Sequence, residues 1–281
     1  MTFAESLRKY RFFLLAMAVP YGFLYARVVP DMVRQWYHDD NYSHGFLVPL
    51  ISAWFIYERR EALLKAAARP WNPGWAVLLF GLGQLLAGRV MTEYFTMRSS
   101  MVTVLCGVIL ILFGREVFRL LLFPLAYLLF MVPIPAVIYN SVAFPLKLFV
   151  TRLSVGFMKL IGIVVVREGN IIMFPSVTLE VVDACSGIRS LLSLLVIGVA
   201  YAFFLQISPL RRAAIIFSAV PIAIIINGVR VIITGILAQH FGGGAAEGFF
   251  HEFTGMAVFV VSMLLLFAVG AVIKGKERSA E

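Results

Sequence analysis

The chain reads as an all-α polytopic membrane protein of about eight transmembrane helices, with a small extracytoplasmic β-hairpin and an amphipathic segment. Three observations point there. Hydrophobic residues make up 61% of the 281 and charged residues only 14%, too little polar surface to cover a soluble protein. The apolar residues gather in runs, at 12–29, 45–58, 73–88, 99–114, 120–133, 187–207, 213–238 and 254–273. The basic residues, which give a formal net charge of +9, fall in short clusters between those runs. That is the pattern of topology signals and excludes a nucleic-acid partner.

Arg8, Lys9 and Arg11 followed by Phe12 to Ala26 superficially resemble a signal peptide. More runs follow and no convincing cleavage site precedes them, so the segment reads as a retained first span. The run at 45–58 is short and reads as tilted or partly interfacial. Cys106 lies within Met101 to Phe113 and behaves as a small hydrophobe; Cys185 is the only other cysteine, so no disulfide framework is expected. Residues 136–162 are apolar but carry Lys147, Arg152 and Lys159. β-branched residues flank Glu168-Gly169-Asn170 and predict a hairpin, with Pro175-Ser176 as a second turn before Val177 to Val182.

Orientation follows from five basic clusters: Arg8/Lys9/Arg11, Arg59/Arg60/Lys65/Arg69, Arg115/Arg119, Arg211/Arg212 and Lys274/Lys276/Arg278. If 136–162 crosses the bilayer, every later segment flips and two clusters land outside. Laid on the outer face as an amphipathic segment, it keeps all five in the cytoplasm. The second arrangement is expected. It gives one domain over 1–281, with the outer segment and hairpin at 134–182, a catalytic region at 183–255 and both termini cytoplasmic.

Three reactive side chains then meet the outer face. Arg230 ends the apolar stretch Ala213 to Val229, and an ionisable residue there is a functional hypothesis by default. It follows Arg212 by eighteen residues, about 27 Å of helix and most of the hydrocarbon layer. Asn227 sits one turn earlier on the same face. Cys185, in Asp183-Ala184-Cys185-Ser186-Gly187-Ile188-Arg189, precedes a helical run whose N-terminal dipole lowers a thiol pKa, with Arg189 adding to the effect. His251 opens the last span and can serve as general acid and base. Asp183, Glu247 and Glu252 are candidate orienters of His251, with no choice among them. Each residue also has a plain structural explanation: a buried cysteine, a snorkelling arginine, a backbone-bonded histidine. A zinc site is excluded, because Gly255 stands where His-Glu-x-x-His needs its second histidine. No cofactor is expected.

At these residues the sequence resembles the exosortase/archaeosortase family, membrane-embedded cysteine transpeptidases, and the resemblance covers most of the chain. It is carried by Arg167-Glu168-Gly169-Asn170, Ala184-Cys185-Ser186-Gly187-Ile188-Arg189-Ser190, Asn227-Gly228-Val229-Arg230 and His251. Tyr42-Ser43-His44-Gly45 and Pro133-Ile134-Pro135 match as well, and His44 is a candidate for lining a substrate groove. The resemblance implies Cys185, Arg230 and His251 as the catalytic set. It also implies exported substrates ending in a short motif, a transmembrane helix and a basic tail, and a bacterial inner-membrane location with the site facing outward. The acceptor, an amine or an envelope component, is not identified. Competing readings are a serine protease using Ser186, in a run like the Gly-x-Ser-Gly of rhomboid proteases; a small transporter with Arg230 as an anion site; and a non-catalytic envelope assembly factor.

Overall fold

The computed structural model describes residues 1–181, 187–242 and 249–278, with all side chains but those of 249–252 and 276–278. It divides into two compact units, Met1–Pro135 and Ala136–Glu281.

In the first unit, Thr2 caps α1 (Phe3–Tyr25) in a reciprocal box with Glu5, which satisfies two donors the helix start would leave open. A bend of 60° leads into α2 (Val28–His38), which buries Val28, Met32 and Trp36, one residue per turn along one stripe. A 3₁₀ segment over Asp40–Phe46 joins it to α3 (Leu47–Glu58), followed by the short α4 (Arg60–Lys65). The next helices, α5 (Gly74–Val90) and α6 (Tyr94–Tyr127), form a close pair. Gly74, Gly81 and Gly88 share one stripe of α5, spaced by sevens, and lie against the α6 backbone or first side-chain carbons. Gly107 of α6 returns the contact against Leu78. Small residues at such contacts let two backbones approach where lipid offers no hydrophobic drive.

The two runs expected at 99–114 and 120–133 are continuous in α6 except at Gly114, whose φ of 80° and ψ of −169° break the helix. Its missing Cβ admits the carbonyl of Arg69. Three basic segments thereby meet at one end of this unit. Phe3 donates its N–H to Ala66 at 2.9 Å, Arg69 donates its N–H to Phe113 at 3.1 Å, and Arg59 reaches the Leu120 carbonyl at 3.2 Å. Cys106 packs half-buried beside a core of Phe113, Val117 and Leu121.

The second unit opens with α7 (Ala136–Leu160), whose buried stripe is Ala143, Val150, Thr151, Ser154, Val155 and Met158. The expected hairpin is present as β1 (Val166–Glu168) and β2 (Ile171–Met173), paired antiparallel with Arg167 opposite Ile172. The Pro175-Ser176 turn adds β3 (Thr178–Glu180), so the element is a three-stranded meander of order β1-β2-β3. The third strand forms where Val177 to Val181 alternates apolar and polar residues, which sets Leu179 opposite Ile172. Val165, Ile172, Phe174 and Val181 bury against Val150, Met158 and Val231.

Three helices follow, α8 (Ile188–Phe204), α9 (Pro209–Phe241) and α10 (Phe249–Arg278). α8 and α10 run together and α9 runs against them. Gly198, Ala219 and Leu266 meet about halfway along, and in the next turn of α8 the Tyr201 hydroxyl donates to the Phe267 carbonyl at 3.1 Å. Among the described residues four helices are long and apolar enough to cross a membrane, or five if α1 and α2 form one bent span; α5 and α8 are shorter apolar helices. α7 is one of the four. It was expected on the outer face, and it lies along α9, with Ser154 bonded to the Gly228 carbonyl at 3.2 Å and the Met158 sulfur at Gly235.

Candidate active site

Asn227 and Arg230 lie one turn apart on α9, both buried, at 0% and 6% exposure. Two glycines from different helices meet them. A Cβ built on Gly187 would fall 2.8 Å from the Asn227 carboxamide carbon, and one on Gly255 would fall 3.2 Å from an Arg230 guanidinium nitrogen. Gly187 caps α8 with a left-handed φ of 80°, a conformation that costs other residues about 1–2 kcal/mol. It follows Cys185 by two residues, and Gly255 follows His251 by one helical turn. The start of α8, the middle of α9 and the start of α10 therefore converge on the Asn227–Arg230 face. Polar side chains buried this deeply are costly unless a site uses or pairs them.

Local sequence explains the convergence. The Ser154 hydroxyl holds the Gly228 carbonyl, which anchors α9 between its two polar residues. Further along α9, Gly235 accepts the Phe174 ring and Gln239 accepts a hydrogen bond from Ser176 at 3.3 Å, so the meander packs just beyond the polar face. Asn170 ties the meander internally, donating to the Val181 carbonyl at 3.2 Å and to Glu180 at 3.1 Å. Val181 is the last described residue before the cysteine segment.

Of the expected site residues, Arg230, Asn227 and Arg189 are placed in this second unit, with Arg189 half-buried in the first turn of α8. His251 occupies the first turn of α10, and its side chain lies outside the described residues. Asp183, Cys185, Ser186 and Glu247 lie outside them entirely, as does the side chain of Glu252. Gly255 is the residue that sequence reasoning passed over, having weighed it only as a missing histidine. Its signal was its place one turn after His251 on a helix.

A second polar cluster occupies the first unit. His44 is buried, and the Tyr42 hydroxyl donates to the Ile134 carbonyl at 3.2 Å, so the Tyr42–Gly45 and Pro133–Pro135 motifs meet. The Trp36 ring covers Gly45 and its indole donates to the Met131 carbonyl at 2.9 Å. Burial pushes the His44 pKa down, opposed by hydrogen bonds to the Phe130 and Asn41 backbone. Beside them Arg98, missed from sequence, is buried, donates to Gln35 at 2.5 Å and stacks over the Tyr94 ring. Its signal was the polar stretch Arg98-Ser99-Ser100 at the head of an apolar run. Among the described residues no group of three or more His, Cys, Asp or Glu side chains is placed to hold a metal.

Comparison with known families decides the assignment. The transmembrane exosortase (EpsH) family matches residues 36–268. The chain belongs to this family. The match takes in both polar clusters of this exosortase, and it ends before the basic C-terminal segment. No curated protein and no solved structure matches the chain.

Proposed function

We propose that this exosortase is a membrane cysteine transpeptidase that cleaves C-terminal sorting signals from exported proteins. The observation that supports the reading most is the approach of Gly187 and Gly255 to Asn227 and Arg230. It brings the chain within two residues of Cys185 to the buried Asn227 carboxamide, and the helix within one turn of His251 to the Arg230 guanidinium.

The chemistry follows from those groups. The Cys185 thiolate attacks the carbonyl carbon of a peptide bond near the membrane face, and the C=O electrons move to oxygen. Arg230 donates to the developing oxyanion, the kind of fixed charge whose loss costs about 10²–10³-fold in rate. Asn227 orients the same face. His251 gives its proton to the departing nitrogen as the C–N bond breaks, which leaves a thioacyl enzyme. An amine, or water, then adds to the thioester and the thiolate leaves. Arg189 stabilises the thiolate from the first turn of α8, Ser186 and Asp183 support the segment, and an acidic neighbour orients His251. The substrates are exported proteins with a short motif, a transmembrane helix and a basic tail. The enzyme sits in the bacterial inner membrane, with both termini cytoplasmic and the site facing outward.

The test compares the host's own exported proteins of that design in cells carrying the native enzyme or Cys185→Ala. Native cells should show truncated C-termini by mass spectrometry, with hydroxylamine intercepting the thioester as a hydroxamate. Cys185→Ala should leave the tails intact and yield no hydroxamate. Normal processing by Cys185→Ala, abolished instead by Ser186→Ala, would replace the mechanism with a serine protease.

A further inference from the structure

Two cavities adjoin where the basic segments of the first unit meet. One, of about 330 Å³, is lined by Arg69, Arg115, Arg119, Trp71 and Glu116. Its only carboxylate is already engaged, since Glu116 accepts the Ala67 N–H at 2.9 Å. The Arg115 guanidinium lies over the Trp71 ring at 5.2 Å, a contact with the ring face that consumes none of its N–H donors. None of the three arginines is in an ion pair among the described residues. The second cavity, of about 290 Å³, is apolar and is lined by Phe13 and Leu14 of α1, Pro70, and Ile111 to Phe113 of α6. Pro70 belongs to both, and α6 passes from the apolar lining at Phe113 to the basic one at Arg115 across the Gly114 break.

We propose that this pair of cavities holds one anionic phospholipid, with its phosphate among Arg69, Arg115 and Arg119 and one acyl chain in the groove between α1 and α6. Three guanidiniums and one committed carboxylate leave an excess of positive charge, which a phosphate diester answers with charge-assisted hydrogen bonds. A zwitterionic headgroup brings its own cation into the same space. A free phosphate ion leaves the apolar groove unfilled. The position suits a lipid: basic pockets beside transmembrane helices at a membrane surface are recurrent sites for anionic headgroups. The occupant would tie α1 to α6 at the Gly114 break, where the helix has lost its own continuity.

The experiment uses the full-length protein, delipidated in detergent, with phosphatidylglycerol, phosphatidylcholine or inorganic phosphate added at equal concentration. Native mass spectrometry should retain one phosphatidylglycerol per chain, with a roughly tenfold or greater preference over phosphatidylcholine. Thermal unfolding should shift upward with phosphatidylglycerol alone. The double variant Arg115→Gln/Arg119→Gln should lose the preference, and Leu14→Trp, which fills the groove, should weaken phosphatidylglycerol with the arginines intact. Equal retention of the two lipids by the native protein overturns the proposal without recourse to any variant. A full shift with inorganic phosphate overturns it in favour of a free-anion site, and native-like lipid retention by both variants overturns the location.

Discussion

Arg230 and Gly255 make the most sensitive pair in the chain, because a hydrogen atom stands where any other residue would carry carbon. A Cβ at 255 comes within 3.2 Å of the guanidinium, so Gly255→Ala should displace the head group by a few tenths of an ångström. Alanine is also the better helix former, by about 1 kcal/mol. The expected outcome is a melting temperature equal to or above the native one, with sorting-signal cleavage lowered on the order of tenfold. Full activity in Gly255→Ala would remove the guanidinium geometry from the mechanism. His44 makes the other residue-scale prediction. Its folded pKa lies below the ordinary histidine value of about 6.5 because burial disfavours the charged ring. Between the folded and unfolded values the unfolded chain binds more protons, so stability rises with pH there. The contribution is complete above about pH 6.5 and falls away as acid takes the group through its lower folded value. Melting in detergent between pH 7.5 and pH 5 should show this loss, and His44→Gln should flatten that part of the profile. Sequence reasoning singled out Arg230 and Asn227 because a charged or polar side chain in an apolar run announces itself, and His44 through the Tyr42-Ser43-His44-Gly45 resemblance. It could not reach Gly255 or Gly187, whose roles are an absence of atoms and depend on which helix lies opposite.

At the scale of elements, the pairing of α5 with α6 illustrates the same limit. Both runs were legible as apolar segments, yet the stripe of Gly74, Gly81 and Gly88 became meaningful only against a neighbour. A Cβ on Gly107 would sit 2.6 Å from the Leu78 backbone, whereas one on Gly83 meets nothing within 4 Å. Gly107→Leu should therefore separate the helices and cost about 1–3 kcal/mol or more, the usual range for overpacking. Gly83→Leu, on the open face of α5, should leave detergent-resistant folding near native. Equal loss in both would show that the close approach at Gly107 does not govern the pair. The meander shows why the third strand was not predicted. Glu168-Gly169-Asn170 is a strong local turn signal, but β3 depends on pairing Leu179 with Ile172 across a turn, and strand pairing is decided by cross-strand packing more than by local preference.

For the whole molecule, composition fixed the class and the charge clusters proposed an orientation, but the number of crossings turns on α7. Its 25 residues and apolar character suffice for a span, and Lys147, Arg152 and Lys159 are the reason to keep it out of one. Between the Arg115/Arg119 and Arg211/Arg212 clusters, an even number of crossings puts both on one side. With the second part of α6 and α8 each counted as a span, the crossings number two; α7 would make three. Ionised side chains near the middle of a span cost about 2.5–3.5 kcal/mol each on insertion scales, and Lys147 stands at the centre of α7 with Arg152 about one turn beyond. Five clusters on one side also satisfy the bias that sets orientation, whereas three against two oppose it. The expected outcome is a cytoplasmic C-terminus: a fluorescent protein fused after Glu281 should fold and emit, and alkaline phosphatase fused there should stay inactive. A cysteine placed at Ser141, in a Cys106→Ala/Cys185→Ala background, should react with an impermeant reagent from outside. An active phosphatase fusion would make α7 a span, turn the Asn227–Arg230 face toward the cytoplasm and remove the sorting of exported proteins as its purpose.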